Sequence, residues 1–194
     1  MTSTLTGPST PASWNITTMN PAEAPWHLLL LADPSRERIK RYLPHSTCFA
    51  ARQTAQFTPS GLGALIGVCV MKPEGDGQHK RELINMAVST AWQRNGIGSA
   101  LLHRAIREMR QRGVRQLEVG TGSFGDQLLF YQRIGFRVTD IERDFFLQNY
   151  TTPLWERGVQ HKDMLKLTLE LESYSKTIAA CAICKRATAQ KSKE

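Results

Sequence analysis

Apolar residues recur along this chain in two rhythms, the two-residue period of strands and the longer period of helices. Gly63 to Met71 is a continuous apolar, β-branched stretch and predicts a strand; Glu82 to Val88 is shorter and predicts a buried one. From Ile97 the rhythm changes. Ile97, Leu101, Ala105 and Met109, widened by Leu102 and Ile106, make the apolar stripe of a helix lying on a sheet. Val114 to Val119 predicts a strand that begins just after Gly113, a suitable helix stop. Asp126 to Ile134 predicts a short helix ended by Gly135, and Phe136 to Ile141 a further strand. Met164 to Leu171 alternates, with Leu165, Leu167, Leu169 and Leu171 on one side, so a half-buried strand is expected.

Nearer the start, Trp26 to Leu31 reads as a short strand. Asp33-Pro34 opens a helix, with Asp33 as N-cap and Pro34 at the first helical position; Ile39, Tyr42 and Leu43 give its apolar side and Pro44 ends it. Cys48 to Phe57 predicts a strand, turned by Pro59-Ser60-Gly61, and Lys72 to Gly77 carries a hairpin signal. Gly120 to Ser123 reads as a loop, and residues 145 to 160 as irregular and aromatic. Hairpins in the first half and a strand-helix-strand unit in the second imply an α/β (α+β) fold. Its mixed central sheet would have about six to seven strands, with helices on both faces.

Composition then limits the layout. The 194 residues, 41% hydrophobic, are enough for one domain with a real core. Residues 1 to 22, rich in Ser, Thr and Pro, are expected to be a disordered arm, residues 23 to 172 the folded domain, and residues 173 to 194 a basic tail. No apolar run of about 18 residues is present to span a membrane. The first 20 residues lack a signal peptide's basic start and apolar centre, so a cytoplasmic location is the expectation. Four cysteines make no disulfide framework, and the single Cys181-x-x-Cys184 lacks the second pair that a zinc site needs, so no metal is expected. The five histidines are scattered and read as structural or exposed. A net charge of +8 fits an anionic cofactor, nucleic acid or plain solubility; no nucleic-acid motif is present.

The candidate chemistry lies where the strand ending at Val88 meets the helix beginning at Ile97. The first turn of a helix presents unpartnered N–H groups and a partial positive charge. Gly96 and Gly98 remove side chains from that turn, so an anion can approach the backbone, and Arg94 adds a full charge. No third glycine follows, as a dinucleotide fingerprint requires, and no Gly-Lys-Ser/Thr, as a Walker loop requires. The segment is a pyrophosphate cradle or a tight turn with glycines for packing.

Gln93, Gly96 and Gly98 match Q/R-x-x-G-x-G/A, the acetyl-coenzyme-A loop of the GNAT N-acetyltransferase superfamily, and the segment resembles it. Tyr131, Gly135 and Phe136 resemble the Y-x-x-x-G-F element that follows in the same enzymes. The resemblance covers about residues 25 to 171, and the run from Glu118-Val119-Gly120-Thr121-Gly122 through Asp163-Met164 looks like an uncharacterised bacterial branch. It implies a GNAT fold and acetyl transfer from acetyl-coenzyme A, as co-substrate, to a primary amine of a small molecule or protein. It also implies site roles. Gln93, Arg94, Asn95, Gly96, Ile97, Gly98 and Ser99 would hold the pyrophosphate, and Met86, Ala87 and Val88 would pair with the pantetheine arm. Tyr131 would return a proton to the departing thiolate and Glu82 would act as base.

Each of these residues also has a plainer explanation. Tyr131 would serve as a core tyrosine and Glu82 as a hairpin-end carboxylate; Asn85, inside the same strand as Glu82, would either face the cleft and orient a water or satisfy a strand edge with its amide. Many relatives carry an asparagine after the strand at 114 to 119; here Ser123 stands near that place and would replace its hydrogen bond. Arg143, Asp144, Tyr150, Trp155 and Glu156 are candidates to line the acceptor site. The alternative function is a GNAT-fold module that binds coenzyme A or a partner without turnover. No nucleic-acid or membrane partner is expected, and an exposed sheet edge would allow a homodimer.

Overall fold

The computed structural model describes residues 13–54, 63–73, 79–172 and Tyr174. The turns expected at 59–61 and 72–77, most of the basic tail with Cys181 and Cys184, and the first twelve residues lie wholly or largely outside that set. Nine strands and five α-helices occupy the described residues: β1 (Trp14–Met19), α1 (Trp26–Ala32), α2 (Arg36–Tyr42), β2 (Thr47–Gln53), β3 (Leu65–Pro73), β4 (Lys80–Val88), α3 (Ile97–Gln111), β5 (Gln116–Gly122), α4 (Asp126–Ile134), β6 (Arg137–Glu142), α5 (Phe145–Asn149), β7 (Trp155–Glu156), β8 (Val159–Gln160) and β9 (Met164–Glu170). Seven of the strands form one sheet in the order β1-β2-β3-β4-β5-β9-β6, and β7 and β8 make a separate small hairpin. The sheet is mixed, as expected: β4 runs parallel to β5, whereas β1–β2, β2–β3, β5–β9 and β6–β9 are antiparallel.

Two compact units divide the chain, one spanning 1–71 with 85–105, the other 72–84 with 106–194. The first is closed by Leu28, Leu29, Ile39, Phe49, Val68, Val70, Leu101 and Leu102, all essentially inaccessible to solvent. Gly67 makes room there for α3, because a Cβ at that position would lie 2.9 Å from Leu101 Cδ1. The second unit is built on Ile106, Met109, Leu117, Val119, Leu167 and Leu169. Its β9 has the predicted alternation, with Leu167, Leu169 and the following Leu171 buried.

Several elements differ from the sequence expectation. Trp26–Ala32 is a helix, not a strand: it holds four leucines and no β-branched residue, and Leu28 and Leu29 turn inward together. The next helix starts after Ser35, whose hydroxyl accepts from Arg38 N–H at 3.3 Å. Asp33 instead closes α1 through its own N–H to Leu29 O, and its carboxylate accepts from Ser35 N–H at 3.0 Å. Order begins before residue 23, because Trp14–Met19 pairs with β2 along its whole length; tertiary hydrogen bonding outweighs a composition that alone buries little. Gly120 to Gly122 extend β5 rather than forming a loop, since β9 supplies the partner ladder. They are small because Met164 and His161 lie over Gly120 and Gly122. Residues 145–160 are not irregular throughout, for they contain α5 and the β7–β8 hairpin.

Candidate active site

β4 delivers the chain to the site. Leu83, Asn85 and Ala87 are buried on one face, while Glu82, Ile84, Met86 and Val88 on the other are half-buried. The parallel register with β5 covers Lys80↔Gln116 to Glu82↔Glu118, and β4 runs on to Val88. After a short 3₁₀ turn at Thr90–Trp92, the segment to Ile97 is braced by its own amides. Gln93 Nε2 donates to Val88 O at 3.1 Å, and Asn95 Nδ2 donates to Gln93 O at 3.0 Å and Trp92 O at 3.3 Å. Gln93 and Asn95 thus shape the loop with their side chains.

Arg94 and Gly96 both have positive φ, 65° and 77°. This conformation costs an L-residue about 1–2 kcal/mol, which explains a glycine at 96 and marks Arg94 as a strained position. A Cβ placed on Gly96 would meet nothing within 4 Å, so the glycine is required by backbone conformation and the ground above it is open. Gly96 O accepts the first helical hydrogen bond, from Ala100 N–H at 3.0 Å. The amides of Ile97, Gly98 and Ser99 therefore precede the ladder and have no intrahelical acceptor. Ile97 is 1% exposed, which pins the mouth of the helix to the core. The chemistry of this donor set, open backbone amides at a positive helix end beside Arg94, fits a diphosphate.

The second motif has a physical basis of its own. Gly135 ends α4 at φ 112°, its N–H reaching Gln132 O, and Phe136 N–H reaches back to Tyr131 O at 3.1 Å. This pattern is a Schellman cap, whose characteristic apolar contact is here the Tyr131–Phe136 ring pair at 5.7 Å. Tyr131 is 9% exposed and also meets Phe130 edge-on. Glu82 is held by Lys72 Nζ at 2.7 Å, and Ser123 is exposed just beyond β5.

Asn85 does not present its amide to a cleft water, contrary to that expectation: it is 3% exposed, and its Nδ2 donates to Leu29 O and Tyr42 Oη, both at 2.9 Å. It ties β4 to α1 and α2.

The fold also assembles a group that sequence spacing hides. His161 stacks flat on Phe124, centroids 4.2 Å apart, and its Nε2 lies 3.3 Å from Glu156 Oε2. Phe146 meets the same imidazole at 5.5 Å. Residues 122 to 125 and 146 to 161 are brought together by the turn before α4 and by the β7–β8 hairpin. The sequence signal available was the pair of glycines flanking Phe124. Asp144, at φ 58°, begins α5, and its N–H is taken by Asp163 Oδ1 at 2.9 Å; Arg143 is exposed.

A strand-loop-helix mouth suited to a diphosphate, beside a mixed sheet, is the architecture of a protein that binds a diphosphate-bearing coenzyme. The model of the acetyltransferase (GNAT) domain matches residues 44–138. The uncharacterized N-acetyltransferase YvbK of Bacillus subtilis is 34% identical over 147 residues, 75% of this chain and 88% of that protein. A GNAT family acetyltransferase from Elizabethkingia anophelis, solved with acetyl-CoA bound, superposes with a TM-score of 0.70 at 36% identity, covering 81% of this chain and 97% of the other. A Bacillus subtilis acetyltransferase in complex with CoA gives 0.69 at 33% identity, with 81% and 99% covered. The chain belongs to the GNAT acetyltransferase family and is an acetyl-CoA-dependent N-acetyltransferase. No helix among the described residues is long and apolar enough to cross a membrane.

Proposed function

We propose that the protein acetylates a primary amine by direct attack on acetyl-CoA, with roles divided among the residues that match the family motifs. The observation that carries the cofactor half is the opening of α3, with Gly96 at φ 77° over open ground and its carbonyl already committed to Ala100. In this reading the amides of Ile97, Gly98 and Ser99, with Arg94, hold the pyrophosphate. Met86, Ala87 and Val88 offer backbone groups to the pantetheine arm, supported by a parallel register that ends at Glu82↔Glu118 while β4 continues. Ser123 adds a hydroxyl to the same arm.

An ammonium has a reference pKa of about 10.4 and must lose a proton before it attacks. Glu82 is the proposed acceptor of that proton, released from Lys72 as the substrate's own charge arrives. A backbone N–H at Met86 or Val88 stabilises the oxyanion as the C–N bond forms, a contribution of about 3 kcal/mol. When the C–S bond breaks, Tyr131 gives its phenolic proton to the thiolate, and the proton that the nitrogen sheds on becoming a neutral amide returns through solvent to the phenolate. The edge strand β6, with Val138 and Ile141 exposed, is the surface through which two copies would pair; light scattering reads that mass.

The test is a screen of polyamines, aminoglycosides, amino acids, arylalkylamines and lysine peptides with acetyl-CoA, reading free thiol. On the amine that responds, Tyr131→Phe should lower kcat about a hundredfold with acetyl-CoA affinity unchanged. Full activity in that variant removes Tyr131 from its role, and no thiol release with any amine defeats the enzymatic reading.

A further inference from the structure

The His161–Glu156 pair is more than a surface ion pair. Two glycines make space for it. A Cβ on Gly122 would fall 2.3 Å from His161 Nδ1, and a Cβ on Gly125 would fall 2.5 Å from each carboxylate oxygen of Glu156. The imidazole and the carboxylate therefore rest directly on backbone, at the end of β5 and at the start of α4. Phe124 covers one face of the imidazole, and Phe146 abuts it. With Nε2–H donated to Glu156, Nδ1 carries a lone pair that is buried and has no protein partner. The His161 side chain is 13% exposed, whereas that of Glu156 is 32% exposed. The carboxylate is thus fixed against Gly125 and His161, while its side chain stays partly exposed.

Aromatic rings cluster around the imidazole that holds this carboxylate: Phe146, which abuts His161, stacks with Tyr150 at 5.9 Å and meets Phe145 edge-on. On the hairpin itself Val159, the cross-strand partner of Glu156, is 55% exposed. Arg157, which follows Glu156 on this hairpin, is paired with Asp126 of α4 at 2.8 Å, so that cation already has a partner. A fixed anion set among aromatic rings is the complement of an organic ammonium: the carboxylate takes the N–H groups and the rings take the hydrocarbon body and part of the charge.

We propose that Glu156 is the ammonium-binding residue of the acceptor site, that His161 is the positioning residue that holds its carboxylate, and that the acceptor is a primary amine on an aromatic or alkyl body rather than a polycation. This rests on the acetyltransferase reading above, but it is tested by binding and so can fail separately.

The probe is 2-phenylethylamine, titrated calorimetrically into the full chain loaded with CoA, with neutral 2-phenylethanol as its uncharged counterpart. The wild type should bind the amine, and Glu156→Gln should weaken it about tenfold or more while both proteins bind the alcohol equally. Acetyl-CoA affinity, measured in parallel, confirms that the variant is folded. His161→Phe separates positioning from packing, because it keeps an aromatic ring to stack on Phe124 and loses the Nε2–H donor together with the partnerless Nδ1. It should weaken the amine severalfold and raise the amine KM with little change in kcat; wild-type values would make His161 purely structural. No binding of 2-phenylethylamine by the wild type, or equal binding by Glu156→Gln, overturns the proposal. Failure of every amine to release thiol would instead bear on the enzymatic reading.

Discussion

Two glycines at opposite ends of α3 form a matched pair for testing the cofactor mouth. Gly96 precedes the helix at φ 77° and Gly113 follows it at φ 79°, and at neither would a Cβ meet an atom within 4 Å. Alanine at either site is free of steric clash and bears only the backbone term. A left-handed L-residue costs about 1–2 kcal/mol. The entropy removed from the unfolded chain returns about 0.4–1 kcal/mol. The net loss is about 1 kcal/mol for each variant, or a fall in Tm of about 2–4 °C for a chain of this size. Calorimetry should find the two losses alike. Acetyl-CoA affinity should not be alike. The methyl at 96 would project into the open space before the mouth of α3, where the ligand would lie, and the one at 113 beyond the last turn. Displacing one charge-assisted hydrogen bond costs about 1.5–3 kcal/mol, so Gly96→Ala should weaken the cofactor about tenfold to a hundredfold. Gly113→Ala should leave it unchanged. Equal dissociation constants for the two variants would refute the assignment of the α3 mouth to the pyrophosphate.

Two further outcomes concern stability. Asn85→Asp puts an acceptor against Leu29 O and should cost about 3 kcal/mol or more at pH 7 by denaturant titration. Part of that loss should return toward pH 4, as the buried acid takes up a proton and donates; Asn85→Leu should be the milder change. Burial raises the Cys48 thiol from 9.0 to about 11, and burial, with the neighbouring Cys48, pushes Cys69 higher still. The folded chain keeps protons that the unfolded chain releases, so their contribution is complete below pH 9.0 and is lost as pH rises toward about 11. A Cys48→Ala/Cys69→Ala variant should lack that alkaline slope relative to the wild type, and both thiols should resist alkylation at pH 8 until the protein is denatured.

What the sequence disclosed was local. The helix at Asp126–Ile134 is bounded as expected, because Gly135 supplies a left-handed stop that few other residues adopt. The mouth of α3 was legible for the same reason, since a glycine at a helix entrance announces its backbone. What stayed hidden depended on distant partners. A run of leucines has no period of its own, so α1 reads as a strand until Asn85 of β4 is seen to bind Leu29 O of α1 together with Tyr42 of α2. Asn85 looks like a polar interruption in β4 and is a buried tie. Gln93 and Asn95 carry motif positions yet direct their amides at the loop itself. His161 looks isolated because its partners lie 5, 15, 37 and 39 positions away, at Glu156, Phe146, Phe124 and Gly122.

The first strand has a practical consequence. Its Ser-, Thr- and Pro-rich neighbourhood invites trimming back to residue 22, yet β1 supplies the antiparallel neighbour for Cys48 through Gln53. Removing it would bare a ladder of amides and carbonyls on an otherwise core strand, Phe49, Ala50 and Ala51 being fully buried. A raw border of that kind captures any extended peptide, including the same segment of another copy. A shortened protein would therefore be expected to precipitate or cross-pair, whereas one cut just ahead of Trp14 would stay monodisperse.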